Sequence, residues 1–248
     1  MPIDQNKHSI SRNNNPVVPL CLIPWDADSE EHVERMRIQR IACGWNVAQV
    51  GGWRDAQMAG QLGLHWIVLN PEHPETPSRL EKHITAFPEQ AAVLADSSRM
   101  ILGRPYTPDS SLMPCFHPVG HVSLTITPPK PELQTDIAKG IISLTSLYIS
   151  EALQNHGLGG AAMRQCEKMA AEFGARTITL ETIANEYTRE DSPRRIAMKK
   201  PVPVISHQDW YSRYGYELYH RKENSWVEVD DTGKEWHVGS VFLRKELL

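Results

Sequence analysis

Leu144-Thr-Ser-Leu-Tyr-Ile-Ser-Glu-Ala-Leu-Gln-Asn-His-Gly-Leu-Gly-Gly160 is an apolar, strand-like run that empties into a glycine-rich turn and then into a long amphipathic segment. Glycines at 157, 159 and 160 let backbone N–H groups approach a ligand without interference from a Cβ. The helix that follows aims its unpaired N–H groups and the positive end of its dipole at the same place. Such a turn suits a phosphate or pyrophosphate.

Working outward, Ile141–Ile149 reads as a strand and Gly160–Phe173 as a helix with Ala162, Met163, Cys166, Met169, Ala170 and Phe173 on one face and Gly174 closing it. Thr177–Ile183 is the next strand, and the right-handed crossover rule makes it parallel to the first. Ser206-His-Gln-Asp209 has capping-box spacing ahead of a short helix over Trp210–Tyr214, closed by Gly215. Tyr216–Arg221, Ser225–Val229 and Trp236–Leu243 read as antiparallel strands, the last two joined by Asp230-Asp-Thr-Gly233. On the N-terminal side a strand is expected over Val17–Trp25, then a helix from Ser29 that buries Val33, Met36, Ile38 and Ile41 and ends at Gly44. After a break at Gly51-Gly52 come a helix between Trp53 and Leu62 and a buried strand over Leu64–Leu69. Residues 70–118 hold eight prolines around one helical stretch near Ser78–Phe87, which predicts an irregular insertion covering one edge of a sheet. Val119–Thr127 resumes as a strand.

The 248 residues are 40% hydrophobic and 23% charged, with a net charge of −4. This length suits a single elaborated domain over residues 16–248, with the polar stretch Met1–Asn15 as a disordered lead. No apolar run approaches the roughly 20 residues of a membrane-spanning helix, and the lead lacks a secretory pattern, so a cytoplasmic protein with no membrane partner is expected. The four cysteines, at 21, 43, 115 and 166, form no C-x-x-C pair and read as free thiols. Pro118 and Gly120 between His117 and His121 spoil a helical metal-binding face, so no metal is expected. Net negative charge argues against a nucleic-acid partner. A monomer or homodimer fits the composition.

Two readings compete for the glycine turn. Gly157-x-Gly159-x-x-Ala162, with Glu181 about 20 residues on, has the spacing of the dinucleotide fingerprint of an NAD(P)-dependent oxidoreductase. Ser150–His156, however, separates the strand from Gly157 by too long a connection for that tight turn. The other reading takes in the whole segment. Leu147-Tyr-Ile149, a short loop, Gln154-x-x-Gly157-x-Gly159 and an Ala-rich helix resemble the acyl-CoA signature of the GNAT superfamily of N-acyltransferases, whose loop pattern is Gln/Arg-x-x-Gly-x-Gly/Ala. Trp210-Tyr-Ser-Arg-Tyr-Gly-Tyr-Glu217 looks like that family's later aromatic-Tyr-x-x-x-Gly-aromatic segment. The resemblance extends over about residues 119–221 and is topological before that.

The resemblance implies an α/β (α+β) fold, with a mixed, mostly antiparallel sheet splayed into a V and helices on both faces. It implies acetyl transfer from acetyl-CoA to a primary amine of a small molecule, or a lysine, by direct attack in a ternary complex. The amides of Asn155, His156, Gly157, Leu158, Gly159 and Gly160 would hold the coenzyme A pyrophosphate, flanked by Gln154. The Leu147-Tyr148-Ile149 backbone would pair with pantetheine, with the Ile149 N–H polarising the thioester carbonyl. Asn185 would bind pantetheine after the fifth strand, although 26 residues separate it from residue 211. Tyr211 would protonate the departing thiolate. Where many members carry a basic residue on the fourth strand, this chain has Ser143 and Thr145, so Glu181 or His121 is the candidate base, unless water relays the proton. Absence of a base there also fits a coenzyme A-binding domain without turnover. Trp45, Trp53 and Trp66 are candidates for the acceptor wall, and the charged run 188–200 reads as a lid or a solvated loop.

Overall fold

Seven strands form one sheet in the order β1-β2-β3-β4-β5-β7-β6. They are β1 (Leu20–Pro24), β2 (Leu62–Leu69), β3 (Pro118–Thr125), β4 (Ile141–Ile149), β5 (Thr177–Ile183), β6 (Glu217–Val229) and β7 (Glu235–Glu246). The helices are α1 (Glu30–Cys43), α2 (Val50–Met58), α3 (Thr76–Ala86), α4 (Leu158–Glu172), α5 (Pro193–Ala197) and α6 (His207–Arg213). The structure is a computed structural model describing residues 18–108 and 114–247; the expected disordered lead Met1–Asn15 lies outside the described residues.

Of the six strand pairings only β4–β5 is parallel. This mixed sheet excludes the parallel doubly wound fold of the oxidoreductase reading. One core joins the α4 side of the sheet: Ala162, Met163, Cys166 and Ala170 pack on Val122, Leu144, Ile178 and Leu180. The second joins α1 and α2 to the other side through Val33, Met36, Val50, Leu64 and Trp66. Helices therefore lie on both faces.

β4 carries the irregularity that shapes the site. Ser146 pairs with Ser123 and Leu144 with Leu124, which leaves Thr145 as an extra, bulged residue. The bulge shifts the phase of the strand. Leu147 and Ile149 thus join the α4-side core along with Ile142 and Leu144, while Tyr148 faces the α1 side, against the ring of His121. Pairing with β5 runs from Ile141 and Thr177 to Leu144 and Leu180 and stops there. Beyond the bulge the two strands part into a wedge.

Several expectations need correction. α1 buries Val33 and Met36, but Ile41 is 66% exposed, and the rest of its buried face is His32, Arg35, Gln39 and Arg40. The reason is residues 90–95, which lie over α1 by bonds to Gln90, Ala92 and Ala95, while Leu94 and Phe116 pack into the second core. Irregular backbone needs hydrogen-bond partners wherever it is buried. α1 supplies them: His32 Nε2 and Arg35 Nη2 donate to the carbonyls of Ala95 and Ala92 at 2.9 and 2.6 Å, and Gln39 donates to Gln90 Oε1 at 3.2 Å. Gly51 and Gly52 lie inside α2, because the chain turns earlier, at Gly44 (φ 75°) and Asn46 (φ 58°). Residues 217–229 form a single strand, with the register shift between Lys222 and Trp226 falling where two strands were expected. The Ser29 and Ser206 caps form as expected, accepting from His32 N and Asp209 N. All four cysteines are free.

Candidate active site

The turn between β4 and α4 is held open by its own side chains. Gln154 Nε2 donates to the Ile149 carbonyl at 3.1 Å, and His156 Nδ1 to the Gln154 carbonyl at 2.6 Å. Asn155 (φ 65°) and Gly157 (φ 79°) both take the left-handed conformation, and Gly157 caps α4 without a side-chain acceptor. Consequently, among the described residues no backbone N–H from Asn155 to Gly160 has an acceptor. Six adjacent donors at a helix N-terminus make an anion nest.

The glycines there do different work. A Cβ on Gly157 would meet nothing within 4 Å, so its glycine is required by φ alone. A Cβ on Gly159 would lie 3.1 Å from the Trp210 ring, and one on Gly160 would overlap the Tyr214 hydroxyl. The missing Cβ atoms at 159 and 160 therefore admit α6, where ligand approach was expected to be the reason.

The wedge supplies the second element. Ser150 N–H bonds to the Val119 carbonyl across β3, so strand alternation turns the backbone groups of Tyr148 and Ser146 toward β3 and those of Leu147 and Ile149 toward β5. Pairing with β5 has already ended, leaving these groups to line the open side. Ile149 adjoins the anion nest and its carbonyl is taken by Gln154, whereas Leu147 stands nearer the bulge.

α6 closes the α4 side. Tyr211 packs against Trp210 and Tyr216, with ring centroids 4.9 and 5.8 Å away. Burial first, and the Cys166 thiol second, push its hydroxyl well above the usual tyrosine range. Trp210 stands over Gly159 at the start of α4 and the Tyr216 hydroxyl reaches Glu167 just past its midpoint, so the Tyr211 ring between them lies along the N-terminal half of α4. Asn185 contacts α6: its Nδ2 donates to Asp209 Oδ1 at 2.8 Å and its N–H to Gln208 Oε1, while its own Oδ1 is buried without a partner. The long interval after it loops away, and Arg194 and Lys200 both bind Glu228 of β6. Arg194 is only 4% exposed and anchors the charged run on the β6–β7 hairpin, while Arg189, Glu190, Asp191 and Lys199 remain exposed to solvent.

The sequence of residues 63–190, just over half of the chain, matches the family described as Acetyltransferase (GNAT) family. The chain belongs to that family. Arabidopsis thaliana NAA60, solved in complex with a bisubstrate analogue, is similar in fold, with 11% identity, 92% of this chain and 99% of that chain covered, and a TM-score of 0.50. The IAA acetyltransferase of Bacillus cereus gives 10%, 92%, 99% and 0.48, and an aminoglycoside 6'-N-acetyltransferase complexed with coenzyme A gives 10%, 92%, 97% and 0.47. At 11% identity the likeness to NAA60 is one of fold. No curated protein matches the chain in sequence.

On the face of this GNAT sheet opposite α4, the candidate bases are both engaged. Glu181 stands one residue past the last β4–β5 pair, held by Lys130 Nζ at 2.9 and 2.7 Å and by Ser240 Oγ at 2.8 Å. His121 is fully buried; its Nδ1–H donates to Gln39 Oε1 at 2.8 Å and its Nε2 accepts from Arg40 at 3.1 Å. Burial and Arg40 hold it well below the usual histidine range, so it is neutral and has no free lone pair. Ser143 lies within a hydroxyl chain. Thr179 donates to the Leu133 carbonyl, so Ser143 donates to Thr179 and Thr135 to Ser143, and the chain ends on a carbonyl that cannot take a proton. Thr145 bonds Ser123. Trp66 is core, whereas Trp45 and Trp53 are half-buried, Trp45 edge-on to Trp226. No cluster of metal-binding side chains occurs among the described residues, and none of their helices is long and apolar enough to cross a membrane. Arg40 was missed by the sequence reading, although its spacing from Val33 and Met36 places it on the buried face of α1.

Proposed function

We propose that the chain moves an acetyl group from acetyl-CoA to the primary amine of a small molecule by direct attack in a ternary complex. The observation that carries this reading is the run of unpaired amides from Asn155 to Gly160 at the head of a wedge with unpaired strand backbone. These groups fit coenzyme A. The amides suit the pyrophosphate, with Gln154 bracing the loop; Leu147 and Ile149 suit the amides of pantetheine, as an added strand would; and the orphaned Asn185 Oδ1 suits a pantetheine N–H. When bound, acetyl-CoA supplies an activated acetyl thioester.

The remaining work falls to side chains. Tyr211, kept protonated by burial, donates a hydrogen bond toward the departing sulfur. The attacking amine must lose a proton, and Glu181 at the apex of the wedge accepts it through water, because Lys130 and Ser240 occupy its direct approach. Replacing Tyr211 with Phe is expected to lower kcat by about 100-fold while leaving KM for acetyl-CoA little changed. The assay is free-thiol release across a panel of amines. An unaltered kcat removes Tyr211 from the chemistry, and no thiol release from the wild type with any amine refutes acetyl transfer to amines.

A further inference from the structure

Arg40 is 4% exposed and faces the sheet from α1, on the side opposite α4. Its Nε donates to the Trp45 carbonyl at 2.7 Å, its Nη1 to His121 Nε2 at 3.1 Å, and its guanidinium lies 5.3 Å from the Trp53 ring centroid. None of these neighbours carries negative charge. A buried cation without a counter-charge is costly, and proteins ordinarily pair it. Two other arginines are buried to the same degree: Arg194 is paired with Glu228, and Arg35 has Glu89 near enough to favour its charged form. For Arg40 no Asp or Glu plays either part among the described residues. Its Nη2 makes no hydrogen bond there.

A second group points the same way. The Tyr148 hydroxyl is buried with no acceptor for its proton, beside the Glu151 backbone N–H and within reach of the Glu151 carboxylate, and its residue is paired across β3–β4 with His121, the ring that Arg40 bonds. Tyr148 immediately precedes Ile149, whose backbone lines the wedge. A free guanidinium nitrogen and an unpaired phenol O–H thus stand on the acceptor side of the cleft, beside the half-buried rings of Trp45 and Trp53. Two donors and one positive charge suit a carboxylate.

We propose that Arg40, assisted by the Tyr148 hydroxyl, receives a carboxylate of the acyl acceptor, so that the acceptor is an amino acid. This rests on the acetyl-transfer reading for its role in turnover but not for binding. The carboxylate supplies the missing counter-charge and leaves the amino group to face the wedge.

The test uses calorimetry on the full chain saturated with coenzyme A, titrated with the common L-amino acids and, for each, its neutral carboxamide. At least one acid is expected to bind about 10- to 100-fold more tightly than its carboxamide. Arg40→Gln should abolish that preference, with folding checked by circular dichroism. If Arg40→Gln does not fold, Arg40→Lys, which keeps the charge but loses the planar fork, should reduce the preference. Equal binding of acids and carboxamides, no binding by any acid, or a preference unchanged in the variant that folds overturns the proposal. Assays of acetylated product separate the two readings. Carboxylate-selective binding without product sinks acetyl transfer and leaves Arg40 as the carboxylate receptor, whereas equal acetylation of acids and carboxamides does the reverse.

Discussion

Gly157→Asp is expected to weaken acetyl-CoA binding by more than about 100-fold while lowering Tm by less than about 5 °C. The two effects separate because of what surrounds this residue. A Cβ there meets nothing within 4 Å, and Asp is one of the few residues that tolerate the left-handed conformation Gly157 adopts (φ 79°). The fold is therefore little disturbed. A carboxylate at the cap of α4, however, stands beside the six amides that receive the pyrophosphate. At about 5 Å and an effective dielectric constant near 20, each pair of like charges costs about 3 kcal/mol. Gly159→Asp is a poorer test, since its Cβ would lie 3.1 Å from Trp210 and a loss of binding there mixes displacement of α6 with repulsion. Calorimetric titration and thermal melting of the same Gly157→Asp sample give both readouts. Unchanged affinity refutes the pyrophosphate assignment.

Gly120→Ala is expected to destabilise the protein by about 3 kcal/mol or more, a fall in Tm of roughly 10 °C. Gly120 lies on β3 opposite Ile149, and a Cβ there would overlap the Tyr148 carbonyl oxygen and press on the Ile149 Cα. Those atoms are backbone, and no rotamer change relieves the clash. β3 must move away from β4, at the centre of the sheet, along the pairs that set the wedge and carry His121. Thermal melting followed by circular dichroism measures the effect. A Tm within about 2 °C of the wild type shows that the strands already separate there without cost.

What the sequence disclosed about this site depended on how local the cause was. The turn from β4 into α4 was legible because its glycine spacing, its caps and the periodicity of α4 all lie within about 30 residues and obey backbone rules. The wedge was legible only through the resemblance, since a parting of β4 from β5 leaves no mark on either strand. α1 was misread. Its buried face is half polar because the partners are carbonyls at Ala92 and Ala95, contributed by a segment more than 50 residues away, and a polar helix face otherwise reads as solvent-exposed. The same distance hid the capture of Glu181 by Lys130 and Ser240. Asn185 looked too far from Tyr211 along the chain, yet the residues between them fold out onto Glu228 and return, which brings Asn185 against Asp209. Gly159 and Gly160 were recognised as required, but for the wrong neighbour: the space they leave is filled by Trp210 and Tyr214 of the aromatic segment 50 residues on.

The claim that the β4–α4 turn is a coenzyme A site is tested most directly by titrating the protein with coenzyme A and, separately, with pantetheine, which keeps the arm and thiol but lacks the pyrophosphate and nucleotide. The amides from Asn155 to Gly160 should make coenzyme A bind at least about 100-fold more tightly than pantetheine. Equal affinity for the two, or no binding of coenzyme A at all, contradicts the assignment.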